Sequence, residues 1–204
     1  MAYLGDWPQD IDFRTVDFKT VSITKQTTSL SGRRVRSSVS GTRFSATVRY
    51  PNMDIQRFLP IQSIATRCQG ALNSFDIVFP YISENQSGVT GIVATVDGNN
   101  AAGSSTVNIS TNKLSTRILL NGAVVRFPSH SKVYMLTSDA TTDGSGDVTL
   151  NITPNLFEAV NDDGSSTVTV DDVPFRMTLS NELQQFKYAY INNITYEIDM
   201  LEEY

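Results

Sequence analysis

The sequence predicts a mainly β fold: a discontinuous N-terminal β-sandwich-like domain with one helix, carrying an inserted small β-barrel or sandwich domain. Three observations lead there. Apolar and polar residues alternate two apart along most of the chain. One stretch alone has three- and four-residue spacing, and turn-forming clusters divide the middle into short segments.

Val21 and Ile23 alternate after Phe18, marking a first strand. Between Thr42 and Tyr50, Phe44, Ala46, Val48 and Tyr50 share one face, as in a half-buried strand. From Met53 to Gly70 the period changes: Phe58, Ile61, Ile64, Ala65 and Cys68 form an apolar helical stripe. Pro60 is expected in the first turn and Gly70 just past the end. Phe75, Ile77 and Phe79 then alternate up to Pro80, whose missing amide proton should end pairing.

Residues 84–106 are small and loop-like, with Gly88, Gly91, Asp97-Gly98-Asn99-Asn100 and Gly103. Strands are expected over Ala123–Phe127, Lys132–Leu136, Val148–Ile152, Thr167–Val170 and Phe175–Leu179, with turns at Asp143–Asp147 and Asp162-Asp163-Gly164. Phe186 to Met200 alternates again through Tyr188, Tyr190, Ile194, Tyr196 and Ile198, with a bend at Asn192-Asn193. This last strand should return to the sheet of residues 1–80. The expected division is therefore 1–83 with 179–204 as one domain, and 84–178 as its insertion.

Charged residues make up only 18% of the chain, against about 25% in ordinary globular domains, which suits surfaces that end against other protein. Residues 1–80 hold ten Lys and Arg and six Asp and Glu; residues 81–204 hold six and fifteen. Opposite charge in two regions favours head-to-tail or ring contacts between copies, although solvated faces that differ by chance give the same count. No run of about 18 apolar residues is present, so no membrane partner is expected. No secretory signal is visible, and the lone Cys68 excludes an intramolecular disulfide, so folding in a cytoplasm is expected.

Residues that could carry chemistry lack the company it needs. His130 has no adjacent nucleophile or orienting carboxylate in its Pro-Ser-His-Ser segment. Cys68 sits on the apolar stripe, where a thiol is inert. Asp139, Asp143 and Asp147 are spaced by four, whereas a calcium loop places carboxylates at alternate positions. Asp162, Asp163, Asp171 and Asp172 read as solvated loop. Arg33, Arg34 and Arg36, with Arg43 and Arg49, form the basic cluster, but no aromatic side chains interleave and the chain is acidic overall, which disfavours nucleic acid; a salt-bridged contact with a neighbouring subunit explains the cluster as well. No catalytic, cofactor-binding or metal residue is assigned, no cofactor is expected, and the chain is not expected to be an enzyme.

The run Ser29-Leu30-Ser31-Gly32-Arg33-Arg34-Val35-Arg36, with Arg43-Phe44, Phe58-Leu59-Pro60-Ile61 and Gly70, resembles the N-terminal part of tail and baseplate proteins of tailed bacteriophages, including those of marine cyanobacteria. Val125–Met135, Asp143–Gly146, Leu150–Leu156, Val173-Pro174-Phe175 and the closing Tyr196–Glu203 extend the resemblance, while 84–106 departs from it. The resemblance implies a virion structural protein of the distal tail, folded in the host cytoplasm. It implies a homo-oligomeric ring, a hexamer, joining the tail tube to other tail or baseplate proteins. A different class of function is a binding module for a host-surface glycan or protein, in which Phe127, Tyr134 and Phe157 of the insertion could stack on sugar, although packing in a strand core explains these aromatics more simply. A cell-wall hydrolase would need paired carboxylates or zinc ligands, and no such motif is present.

Overall fold

The computed structural model describes residues 2–9, 12–22, 24–38, 41–162, 167–189 and 193–204. They form a mainly β structure with one α-helix. The first part of the chain supplies β1 (Tyr3–Asp6), β2 (Thr15–Val21), β3 (Thr24–Thr28), β4 (Arg34–Ser38), β5 (Arg43–Arg49), α1 (Ile55–Cys68) and β6 (Ser74–Ile77). The middle supplies β7 (Ala94–Val96), β8 (Asn99–Asn100), β9 (Thr106–Thr111), β10 (Arg117–Leu119) and β11 (Val124–Arg126). It continues through β12 (Val133–Leu136), β13 (Ala140–Thr141), β14 (Asp147–Thr153), β15 (Val160–Asn161) and β16 (Thr167–Val168). The last part holds β17 (Phe175–Leu179), β18 (Lys187–Ala189), β19 (Asn193–Thr195) and β20 (Glu197–Glu202).

Two compact units result. The first comprises 1–21, 43–77 and 175–203; the second comprises 22–42, 78–174 and Tyr204. The sequence placed the boundaries at 83/84 and 178/179 and kept 22–42 with the first part. β17 explains the later boundary: Phe175, Arg176 and Met177 pair with Ile77, Asp76 and Phe75 of β6, so the whole strand belongs to the first sheet.

The first unit is a six-stranded sheet in the order β1-β6-β17-β20-β5-β2. β5 lies inside it, paired with β2 over seven residues and with β20 over five. Its alternation is realised in space, for Phe44, Ala46 and Val48 are buried, as is Tyr50 beyond the strand's end. On β20, Ile198, Met200 and Glu202 are buried, and the Glu202 carboxylate accepts the Phe44 amide at 3.0 Å.

Asp54 caps α1 by accepting the Arg57 amide at 3.0 Å. The buried side chains are Phe58, Ile61, Ile64, Ala65 and Cys68, the stripe the spacing predicts. Phe58 packs edge-on against Phe186, Tyr188 and Tyr196, with ring centroids 5.5–5.9 Å apart. The helix ends at left-handed Gln69, followed by Gly70 at φ 67°. A Cβ on Gly70 would lie 3.4 Å from the Glu182 backbone, so glycine suits both the turn and the close approach. Pro60 is not a first-turn residue. Asp54 sets the start of the helix at Ile55, and Pro60 falls inside it.

The closing segment also differs from expectation. Instead of one strand from Phe186 to Met200, β18 and β19 pair with each other as a hairpin, and β20 alone joins the sheet. Alternation is identical in a hairpin arm and a sheet strand, so spacing does not separate them. Ile23, Tyr190 and Asn192 lie outside the described residues.

In the second unit, β11-β12-β14-β9-β7-β16 form a six-stranded sheet. A bridge between Arg126 of β11 and Thr169, just past β16, joins its ends through two backbone hydrogen bonds of 3.0 and 2.9 Å. The result is a small, nearly closed barrel-like sheet. Ile109, Ile118, Phe127, Tyr134, Leu150 and Ile152 are among the residues filling its core. β7 corrects the loop-like reading of 84–106: Ala94 and Val96 point into this core, but three residues are too few to carry a visible period.

Candidate functional site

Residues 22–42 form the part of the second unit that its core does not explain. β3 and β4 pair from Thr24↔Ser38 to Thr28↔Arg34 as a two-stranded ribbon. The tip closes through Ser29 and Arg33, with Gly32 at φ 78°. Every residue of β3 is exposed, as are Arg34, Val35 and Arg36 of β4, and Leu30 at the tip is fully exposed. Pairing register puts Arg34 and Arg36 on one face with Thr28 and Gln26. Residues 22–42 carry Lys25, Arg33, Arg34 and Arg36 and no acidic side chain. None of these four cations has an ion-pair partner among the described residues.

The root of this arm is fixed. Ser22 and Thr42 hydroxyls meet at 2.9 Å across it. Lys132, only 1% exposed, donates from Nζ to the Thr42 carbonyl at 2.6 Å and lies 4.3 Å from the centroid of the Tyr204 ring. No motif around Lys132 marks it in the sequence; its burial depends on the chain returning at Thr42 and Tyr204.

The basic cluster therefore separates into different roles. Arg33, Arg34 and Arg36 stand on the arm, whereas Arg49 sits on β5 and is held by Glu197 at 3.0 Å and Asp17 at 3.3 Å. Those partners raise the Arg49 pKa, with the Glu197 hydrogen bond the largest cause. Arg49 and Glu197 border an open cleft of about 620 Å³ in the first unit, with Arg14, Tyr196 and Asp199. Its described lining residues include no serine, cysteine or histidine.

The other residues singled out by sequence have structural partners. His130 is half-buried, its Nε2 3.2 Å from the Tyr134 hydroxyl, which also accepts the Phe157 amide at 3.0 Å. Burial lowers the His130 pKa, which favours neutral imidazole. Cys68 is fully buried at the end of α1, and burial pushes its thiol up to about 11. Asp143 accepts the amides of Ser145, Gly146 and Asp147 at 2.8–3.0 Å, and those bonds hold its carboxyl below the usual range. A Cβ on Gly146, at φ 95°, would collide with the Thr111 carbonyl oxygen, which fixes glycine in this turn. Asp139 accepts from Arg117 and the Asn121 amide. Asp171 accepts the Asn85 and Asp172 amides, while Asp163 lies outside the described residues. Among the described residues no three His, Cys, Asp or Glu side chains are grouped to hold a metal ion. No described helix is long and apolar enough to cross a membrane.

Of the aromatics considered for glycan stacking, Phe127 and Tyr134 are buried in the barrel core. Phe157 is exposed, packed edge-on against Tyr204 at 4.9 Å. Among the described residues, the arm is exposed and basic, and β1 and β2 are the outer strands of the first sheet. β1 is short and its register is irregular between Tyr3 and Asp6, a protected edge. β2 is seven residues long, pairs with β5 in unbroken register and contains no proline. No protein-family model matches the chain, and no curated protein matches it.

Proposed function

We propose that this chain is a structural protein of a bacteriophage tail that works by assembly rather than catalysis. Identical copies form a ring at the distal tail or baseplate and connect the tail tube to other tail components. The observation that carries the reading is β2, a long, regular outer strand with no strand beside it among the described residues. Such an edge is a template for pairing, and closed rings are one way to cover it. The low charge content and the resemblance of the Ser29–Arg36 and Val125–Met135 runs to tail proteins support the same reading.

Sedimentation velocity over a concentration series, with electron microscopy of the associated fraction, tests it. Ring-shaped particles of uniform diameter are expected. A chain that stays monomeric at every concentration overturns the assembly reading. The host-surface reading keeps Phe157 alone as an exposed aromatic of the three considered.

A further inference from the structure

We infer that the arm formed by β3 and β4 is the element by which one copy grips a second copy of this chain, its arginines set against the partner's acidic body. The inference rests on the assembly reading and names the contact that holds neighbours together.

Physical chemistry argues first that the arm is incomplete alone. A two-stranded ribbon is marginal in water without a face to pack on. Here both faces are exposed, Leu30 and Val35 included. Three arginines within four positions repel one another, and none has an ion-pair partner among the described residues. The tight anchoring at Ser22, Thr42 and Lys132 nevertheless holds the root in place. A fixed root with an unpacked, charged ribbon is what a contact element requires.

Charge then selects the occupant. Residues 22–42 hold four cations and no acids, while the remainder of the chain holds twelve Lys and Arg against twenty-one Asp and Glu. The barrel segment 78–174 carries the largest net negative charge, with ten acidic and four basic side chains. Sister copies therefore carry the surface the arm lacks. Arg34 and Arg36, two apart on one strand face, stand roughly 7 Å apart, a spacing at which each guanidinium can take its own carboxylate. Nucleic acid is the weaker match. No aromatic side chain stands on the arm to stack on bases, and the acidic body would repel phosphates.

The test compares the full chain with R33E/R34E/R36E, and with R57E/R67E/K187E as a control that reverses equally many exposed cations outside the arm. The arm buries none of these side chains, so identical far-ultraviolet spectra are expected for all three. Sedimentation at 50 and 500 mM NaCl should show wild-type association weakened at least tenfold by salt. The arm variant should associate at least tenfold less at low salt, with the control following wild type. If the arm variant associates like wild type, the inference falls while the assembly reading stands. If wild type never associates, both fall. Loss of binding to a 30-base-pair duplex by the arm variant, with self-association unchanged, makes the arm a nucleic-acid contact and also overturns the inference.

Discussion

Lys132 Nζ lies 2.6 Å from the carbonyl oxygen of Thr42, ninety positions away in sequence, at the root of the exposed arm. A buried ammonium is costly unless its charge is compensated, and here the carbonyl and the face of Tyr204 do so. Lys132→Met preserves most of the volume but leaves the Thr42 carbonyl without this donor. It should cost about 1.5–3 kcal/mol, the range for a hydrogen bond made by a charged group. Urea denaturation measures that loss, and limited trypsin digestion should cut faster at Arg33 and Arg34 as the root loosens.

Arg176 and Asp76 face each other across β17 and β6 in a two-point contact of 2.7 and 3.2 Å. The Tyr3 ring lies 4.1 Å from the guanidinium carbon, and the Tyr3 hydroxyl reaches Asp76 at 3.3 Å. The Asp76 hydrogen bond is the main cause of the raised Arg176 pKa. Asp76→Asn leaves a part-buried cation without its nearest counter-charge and should cost about 2–4 kcal/mol. The double variant D76N/R176M should cost less than the sum of the single changes. A double-mutant cycle by chemical denaturation checks this, and strictly additive losses would refute coupling.

The contrast between α1 and the arm explains what the sequence could reveal. Phe58, Ile61, Ile64, Ala65 and Cys68 declare a helix because burial on one face leaves a 3.6-residue period. Phe44, Ala46 and Val48 declare a strand in the same way. The arm leaves no such mark, since neither of its faces is buried, and only its lack of acids among Arg33, Arg34 and Arg36 sets it apart. Lys132 is invisible for another reason: its partners Thr42 and Tyr204 come from distant parts of the chain. Pro60 and Gly70 punctuate α1 legibly, yet Asp54 decides where the helix begins, so Pro60 falls inside it. In the barrel, β7 and the closing Arg126–Thr169 bridge are too short to leave a period.

Cys68 gives a pH dependence with a definite sign. Burial raises its thiol from an ordinary value near 9 to about 11, against a smaller opposing effect of Arg67. Between those values the folded chain keeps the proton while the unfolded chain has released it, so stability falls as pH rises through that window. The loss amounts to about 2–3 kcal/mol by proton linkage. Tyr50 and Tyr196, also raised chiefly by burial, add further loss above pH 10. Urea midpoints from pH 8 to 11 should decline, and Cys68→Ala should flatten the slope between pH 9 and 10. An unchanged slope in that variant removes Cys68 as the cause.

Pro60 offers the opposite kind of change, a substitution that should stabilise. It stands five residues past Ile55, beyond the first turn, where its nitrogen cannot donate to the Gln56 carbonyl. Its ring also crowds that carbonyl, and proline in a helix interior is about 3 kcal/mol worse than alanine. Pro60 is exposed, so the buried stripe of Phe58, Ile61 and Ile64 does not depend on its ring. Part of the gain is offset because alanine frees the unfolded chain, by about 0.4–1 kcal/mol. Pro60→Ala should therefore raise stability by about 2–3 kcal/mol, visible as a higher urea midpoint with an unchanged slope. A lower midpoint would mean that the backbone restriction Pro60 imposes is needed to seat Phe58 among Phe186, Tyr188 and Tyr196.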